Sequence, residues 1–131
     1  MKMPENASAQ SAKALVVNAV TELFIGGDAS ALDRYWAEDY IQHNPRVPSG
    51  RDALKGLLGN MPPDFSYEMG MVIAGDDTVA IHGRYTGFGP KPMIAVDIYR
   101  VADGKIAEHW DVLQEEVSET ASGNPMFAPA R

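Results

Sequence analysis

The chain has no cysteine, which rules out disulfide frameworks, thiolate nucleophiles and zinc ribbons together. It also lacks any apolar run long enough to span a bilayer. Its first residues, Met1-Lys2-Met3-Pro4-Glu5-Asn6-Ala7-Ser8, lack the apolar stretch of a secretory signal, so the expectation is a cytoplasmic protein with no membrane partner. Positive charge is scarce: 11 Lys and Arg stand against 18 Asp and Glu, a formal charge of −7. That balance favours solubility and disfavours nucleic acid or anionic membrane as a partner. Only 3 histidines occur, His43, His82 and His109. With Asp97 or Asp111 they would make a His/carboxylate metal set, but no two stand at a His-x-His or helical i, i+4 spacing. The expectation is therefore no metal and no cofactor.

What remains is an ordinary globular composition, 45% apolar over 131 residues, enough for one domain with a real core. From Ser8 to Phe24 apolar residues recur at three and four, predicting an amphipathic helix that Gly26-Gly27 stops. Asp28 or Ser30 is placed to cap a short second helix through Leu32, Tyr35 and Trp36. Asp39 to Pro45 reads as a short extended segment, with Pro45 confining it to an edge or an end. A third helix is expected from Asp52 to Leu58. Strands follow at Phe65–Ile73, Thr78–Thr86, Met93–Val101 and Lys105–Val117. Helices first and an antiparallel meander afterwards predict an α+β domain with the helices on one face of a curved sheet. The tail 118–131 is small and polar until Pro125-Met126-Phe127, through which it either docks or frays.

The last hairpin carries more polar groups than a core strand accepts. Asp103-Gly104 signals a tight turn, expected as a three-residue loop with Gly104 in the left-handed position. With Val101 opposite Lys105, Asp97 falls near His109, and Ala95 near Asp111. Alternation then puts Asp97, His109 and Asp111 on one face with Tyr99 and Leu113, and Val96, Ile98, Trp110 and Val112 on the other. Two carboxylates and an imidazole on one face are costly to bury unless they pair or work.

These segments carry a family resemblance. Glu38-Asp39-Tyr40-Ile41-Gln42-His43-Asn44-Pro45, Val79-Ala80-Ile81-His82 and Val96-Asp97-Ile98-Tyr99-Arg100-Val101 through Glu108-His109-Trp110-Asp111-Val112 resemble the SnoaL-like polyketide cyclases. These belong to the cone-shaped fold shared by nuclear transport factor 2 and ketosteroid isomerase. The likeness covers residues 10–117 and implies three N-terminal helices on a curved antiparallel or mixed sheet. By resemblance the isomerase oxyanion aspartate falls on Asp97. The isomerase's helix tyrosine falls near Val20 and its base near Asn44, so those two elements are missing. The cyclase acid-base aspartate falls on Asp111, with Asn44 and His109 as neighbours.

Asp111 is the candidate base, with His109 and Asp97 tuning it or holding a proton against a developing enolate. The bland alternatives are a solvated or Arg84-paired Asp111 and a buried His109 bonded to Asp97. Asn44 and Arg84 are candidates to stabilise charge on a substrate oxygen. His82 and Arg84 face the cavity if Val79 and Ile81 face outward; parity alone does not choose. Gln42 and Asn44 share a face, which His43 joins only through a bulge before Pro45. Trp36 and Tyr40 either line the cavity mouth or pack the core. The expected activity is cofactor-independent acid-base chemistry on an apolar or carbonyl-containing small molecule: aldol cyclisation or isomerisation through an enolate. A non-catalytic binding module is one alternative. Another is epoxide hydrolysis, as in enzymes of this fold, through Asp97, Arg84 and Asp111. The outward Val96, Ile98, Trp110 and Val112 predict a homodimer.

Overall fold

The computed structural model describes residues 5–130, so Met1 to Pro4 and Arg131 of the expected 1–131 domain lie outside the described residues. The order is α1 (Glu5–Val20), a π-turn (Thr21–Ile25), α2 (Ala31–Tyr35), β1 (Trp36–Gln42) and α3 (Arg51–Gly59), followed by β2 (Ser66–Gly75), β3 (Thr78–Thr86), β4 (Met93–Ala102) and β5 (Lys105–Glu115). This is a mixed α+β domain with a five-stranded sheet ordered β1-β5-β4-β3-β2. The helices do not all precede the sheet, because β1 separates α2 from α3. Strands β2 to β5 form the expected meander, and β1 adds to its edge parallel to β5. Among the described residues no helix is long and apolar enough to cross a membrane.

The inner sheet face and α1 make the core. Val16, Ala19 and Val20 of α1 are fully buried, as are Val79 and Ile81 of β3 and Ile106 of β5. Helix α1 does not run regularly to Phe24; the i→i+5 bond from Gly26 N to Thr21 O (2.8 Å) widens its last turn. Phe24, in that turn, packs its ring against Tyr67 and edge-on to Tyr85, at 5.8 and 5.9 Å between centroids.

The β4–β5 hairpin differs from its expected register. Asp103 and Gly104 both take positive φ (52° and 74°), so the loop is a two-residue turn between Ala102 and Lys105. One residue later β5 bulges: Val101 pairs with Ile106, but Arg100 pairs with Glu108, leaving Ala107 without an opposite number. Turn and bulge each move the pairing by one, so Asp97 faces Asp111 rather than His109, and Tyr99 faces His109. An even displacement leaves every side chain on its expected face.

The tail docks. Phe127 stacks on His82 with centroids 5.8 Å apart and lies under the Arg84 guanidinium at 4.6 Å, while Met126 Sδ accepts the Val117 N–H at 3.2 Å. Gly70 makes room: a Cβ there would meet His82 O at 2.6 Å and the Phe127 ring at 3.1 Å. The tail therefore covers the outer face around His82 and Arg84, leaving Ile73 of β2 (67% exposed) and the outer face of β4 and β5 uncovered by it.

Candidate functional site

Between the inner sheet face and the helices lies a cavity of about 550 Å³. Its walls are largely apolar, with Phe24, Trp36, Leu54, Leu57, Met93 and Leu113 among them. Its polar groups come from the end of β1 and from the middle of the last hairpin: Gln42 and, just beyond β1, Asn44, then Asp97 and Tyr99 on β4 and His109 and Asp111 on β5. The Ala107 bulge makes this placement possible. Ile106 points into the core, and after the extra residue His109, Asp111 and Leu113 continue on the inner face.

Asp97 is 2% exposed and both of its oxygens are engaged. Oδ2 accepts the Tyr85 hydroxyl at 2.7 Å, and Oδ1 meets His109 Nε2 at 2.8 Å. The other imidazole nitrogen, Nδ1, meets Gln42 Oε1 at 2.6 Å. The backbone N–H of Asn44 donates to that same Oε1 at 3.1 Å, and Gln42 Nε2 donates to the Tyr40 hydroxyl at 3.0 Å, so the amide has only one orientation. An amide oxygen accepts and never donates, so His109 Nδ1 must carry a proton. The remaining proton of the pair lies between Nε2 and Asp97 Oδ1. Burial, with Asp97 beside them, pushes the Tyr85 and Tyr99 phenols well above their ordinary range, so both stay protonated.

Asp111 has a different setting. It is half-buried, and Asn44 Nδ2 donates to both of its oxygens at 2.9 and 2.8 Å. Asn44 cannot turn over, because its Oδ1 accepts the Arg46 backbone N–H at 2.8 Å. Among the described residues Asp111 has no ion-pair partner. One donor atom from each of Asp97, His109 and Asp111 lies within 4.8 Å of the others. This is a carboxylate–imidazole–carboxylate set of the kind that holds a metal ion, but a metal there would displace hydrogen bonds that occupy both His109 nitrogens and both Asp97 oxygens.

The remaining expected residues divide. Trp36 and Tyr40 line the cavity, but at 1% exposure they belong to its buried wall rather than its mouth. His82 and Arg84 lie on the opposite face of β3, because Val79, Ile81, Gly83 and Tyr85 point inward. Arg84 pairs with Glu68 and Glu116, at 2.9 and 2.6 Å, and so is partner to neither Asp97 nor Asp111. The Asp-Arg-Asp set needed for water addition to epoxides is therefore not assembled. His43 also lies outside: it stacks on Trp110 with centroids 4.8 Å apart and bonds Glu108 at 2.7 Å. Regular alternation after Gln42 sends it there, and no bulge turns it in. The three-histidine metal set is likewise not formed.

Sequence reasoning assigned no role to Gln42, Tyr85 or Tyr99. Their parity was readable, since Gln42 shares a face with Asn44 and Tyr99 with Asp97. What it could not supply was the packing of β3, which brings the Tyr85 hydroxyl to Asp97.

The family model of the SnoaL-like domain matches residues 17–109. Among solved structures, the chain is similar to a candidate ketosteroid isomerase of Kribbella flavida, at 20% identity and a TM-score of 0.73, over 94% of this chain and 93% of that one. It is similar to a candidate polyketide cyclase of Acidithiobacillus ferrooxidans at 21% identity and a TM-score of 0.65, over 79% and 87%. A nuclear transport factor 2-like protein of unknown function from Burkholderia xenovorans matches at 16% identity and a TM-score of 0.72, over 88% and 91%. At these identities the likeness concerns the fold. No curated protein matches the chain.

Proposed function

The chain belongs to the SnoaL-like domain family, and from that premise we propose a small cofactor-independent enzyme that removes a proton from the carbon beside a carbonyl. The outcome is an aldol-type cyclisation or an isomerisation through an enolate, with Asp111 as the base. The setting of Asp111 carries this reading. An arginine partner would hold the carboxylate as a spectator, whereas the neutral Asn44 amide orients it and leaves lone pairs free to take a proton. Asn44 is then a positioning residue, its donors spent on Asp111. The Asp97–His109 pair supplies a buried proton close to the carboxylate without touching substrate, since all of its hydrogen-bonding positions on that side are filled.

The test is hydrogen exchange. The protein is incubated in D₂O with a panel of ketones and 1,3-dicarbonyl compounds, and exchange at the α-carbon is followed by NMR. Asp111→Asn should slow the catalysed exchange by about 10²-fold or more. Undiminished exchange would refute the assignment. Binding without exchange across the panel would favour a module that holds its ligand unchanged.

We also propose a homodimer built on the uncovered outer face of β4 and β5. Val112 is 72% exposed and Val96 37%, with Ile98 and the His43-stacked Trp110 partly exposed beside them. Burying side chains of this size contributes about 1.5–3 kcal/mol for each large one fully covered, against the cost of association.

A further inference from the structure

Proton removal beside a carbonyl leaves an electron pair that moves onto oxygen, so a site built for it needs a donor aimed where that charge appears. In the cavity most candidates are already spent. Both Asn44 amide contacts go to Asp111, both His109 nitrogens are engaged, and the Tyr85 hydroxyl donates to Asp97. The Tyr40 hydroxyl accepts from Gln42 Nε2, a contact that holds it in place while leaving its own proton free, and Arg46 lines the cavity from an exposed position. The residue that the isomerase resemblance expects to supply a phenol is Val20, fully buried in the core. Tyr99 is the freer of the two phenols. It lines the cavity, is 3% exposed, and its hydroxyl takes part in none of the side-chain hydrogen bonds among the described residues. Its ring tilts against His109 at 4.9 Å between centroids, which fixes it two residue pairs along the hairpin, on the same face, from the facing carboxylates Asp97 and Asp111.

We infer that Tyr99 is a catalytic residue whose hydroxyl donates a hydrogen bond to the substrate oxygen as it becomes an enolate. This rests on the reading of the cavity as a site of proton removal. The step balances within the site. The C–H bond breaks, its proton goes to Asp111, its electron pair forms the C=C bond, and the carbonyl pair moves to oxygen. Tyr99 keeps its proton throughout. Burial and the two neighbouring carboxylates hold the phenol in its protonated form, as a donor must be.

The probe is 4-nitrophenol, whose anion is coloured and imitates an enolate, with nitrobenzene as a neutral companion of similar shape. Asp111→Asn imitates the base after it has taken the proton, so it should bind 4-nitrophenolate more tightly than the unchanged protein does. Adding Tyr99→Phe should weaken phenolate binding about 10- to 100-fold, the range for a hydrogen bond to a charged group, and leave nitrobenzene within about twofold. Tyr40→Phe in the same background should change phenolate affinity little. Equal phenolate affinity with and without the Tyr99 hydroxyl overturns the inference. So does a loss that follows Tyr40, or absence of phenolate binding to Asp111→Asn. If nitrobenzene binding collapses as well, the unaltered tyrosine decides. A new downfield hydroxyl proton resonance should appear when phenolate binds Asp111→Asn, and its absence overturns the inference. The exchange assay tests Asp111 with Tyr99 intact, so the two readings fail separately.

Discussion

Replacing Asp97 in two ways separates its shape from its charge. Asp97→Ala leaves the Tyr85 hydroxyl and His109 Nε2 without partners in a pocket where the aspartate is 2% exposed. Breaking a buried ion pair such as that between Asp97 and His109 costs about 3–5 kcal/mol. For a chain of 131 residues the unfolding entropy is about 0.28 kcal/mol per kelvin, so the midpoint should fall by about 11–18 °C. Asp97→Asn keeps the outline. Its amide oxygen still accepts from Tyr85, and its NH₂ donates to a His109 Nε2 that has given up its proton, because Nδ1 keeps one for Gln42. The loss should be about 1 kcal/mol or less, under about 4 °C. Thermal unfolding followed by circular dichroism measures both. The ¹⁵N spectrum of His109 in the Asn variant should show a protonated Nδ1 and a bare Nε2. If the Asn variant melts with the Ala variant, or its spectrum shows the opposite tautomer, the hydrogen-bond logic of the network is wrong.

Other outcomes follow from the same geometry. Tyr85 and Tyr99 have phenols held well above the ordinary value of 10.0, so the stability they contribute is full below that pH and is lost as pH rises beyond it. Their phenolate absorbance should therefore appear together with unfolding rather than before it. Glu108 is held below its ordinary 4.5 by His43 and then Arg100, so its contribution is present at neutral pH and lost as pH falls through the acid range; a His43→Ala variant should show a shallower acid decline. Phe127→Ala removes the half-buried ring under Arg84 and against His82 and should cost about 1–2 kcal/mol, seen as a lower denaturation midpoint, with the α-exchange rate unchanged. Light scattering at micromolar concentration should report about twice the 14.2 kDa chain mass, and Val112→Arg should return the monomer; a monomeric unaltered protein refutes the proposed interface.

Strands and turns were legible in the sequence because Gly-Asp clusters punctuate β-branched runs. Thr78–Thr86 matches β3 end for end, and the other three meander strands differ by a residue or two at their ends. The inner membership of Asp97, His109 and Asp111 was legible too, because face depends only on whether a register displacement is odd or even. What period-two reasoning cannot supply is which face is inner. On β3 the answer lies in contacts remote in sequence: Gly83 is so close to Tyr67 that a Cβ would stand 2.4 Å from its hydroxyl, while Arg84 finds Glu116 32 residues away. The position of β1 was missed by three residues for a related reason. Trp36 pairs with Ile106 across the sheet, and a polar stretch such as Ala37-Glu38-Asp39 becomes a strand only because β5 offers it an edge.

Ala107 has a consequence larger than its methyl group. Strand β5 is read in two frames, one ending at Ile106 and one resuming at His109, and Ala107 is the residue inserted between them. Deleting it would make Val101–Ile106 and Arg100–Glu108 successive rungs of a flat ladder and leave every side chain on its present face. Drawing it into the ladder opposite Arg100 would do the reverse: everything downstream would change sides, with Trp110 and Val112 turned inward and His109 and Asp111 turned out to water. The polar cluster inside and the apolar strip outside thus both depend on one residue being left out of the pairing.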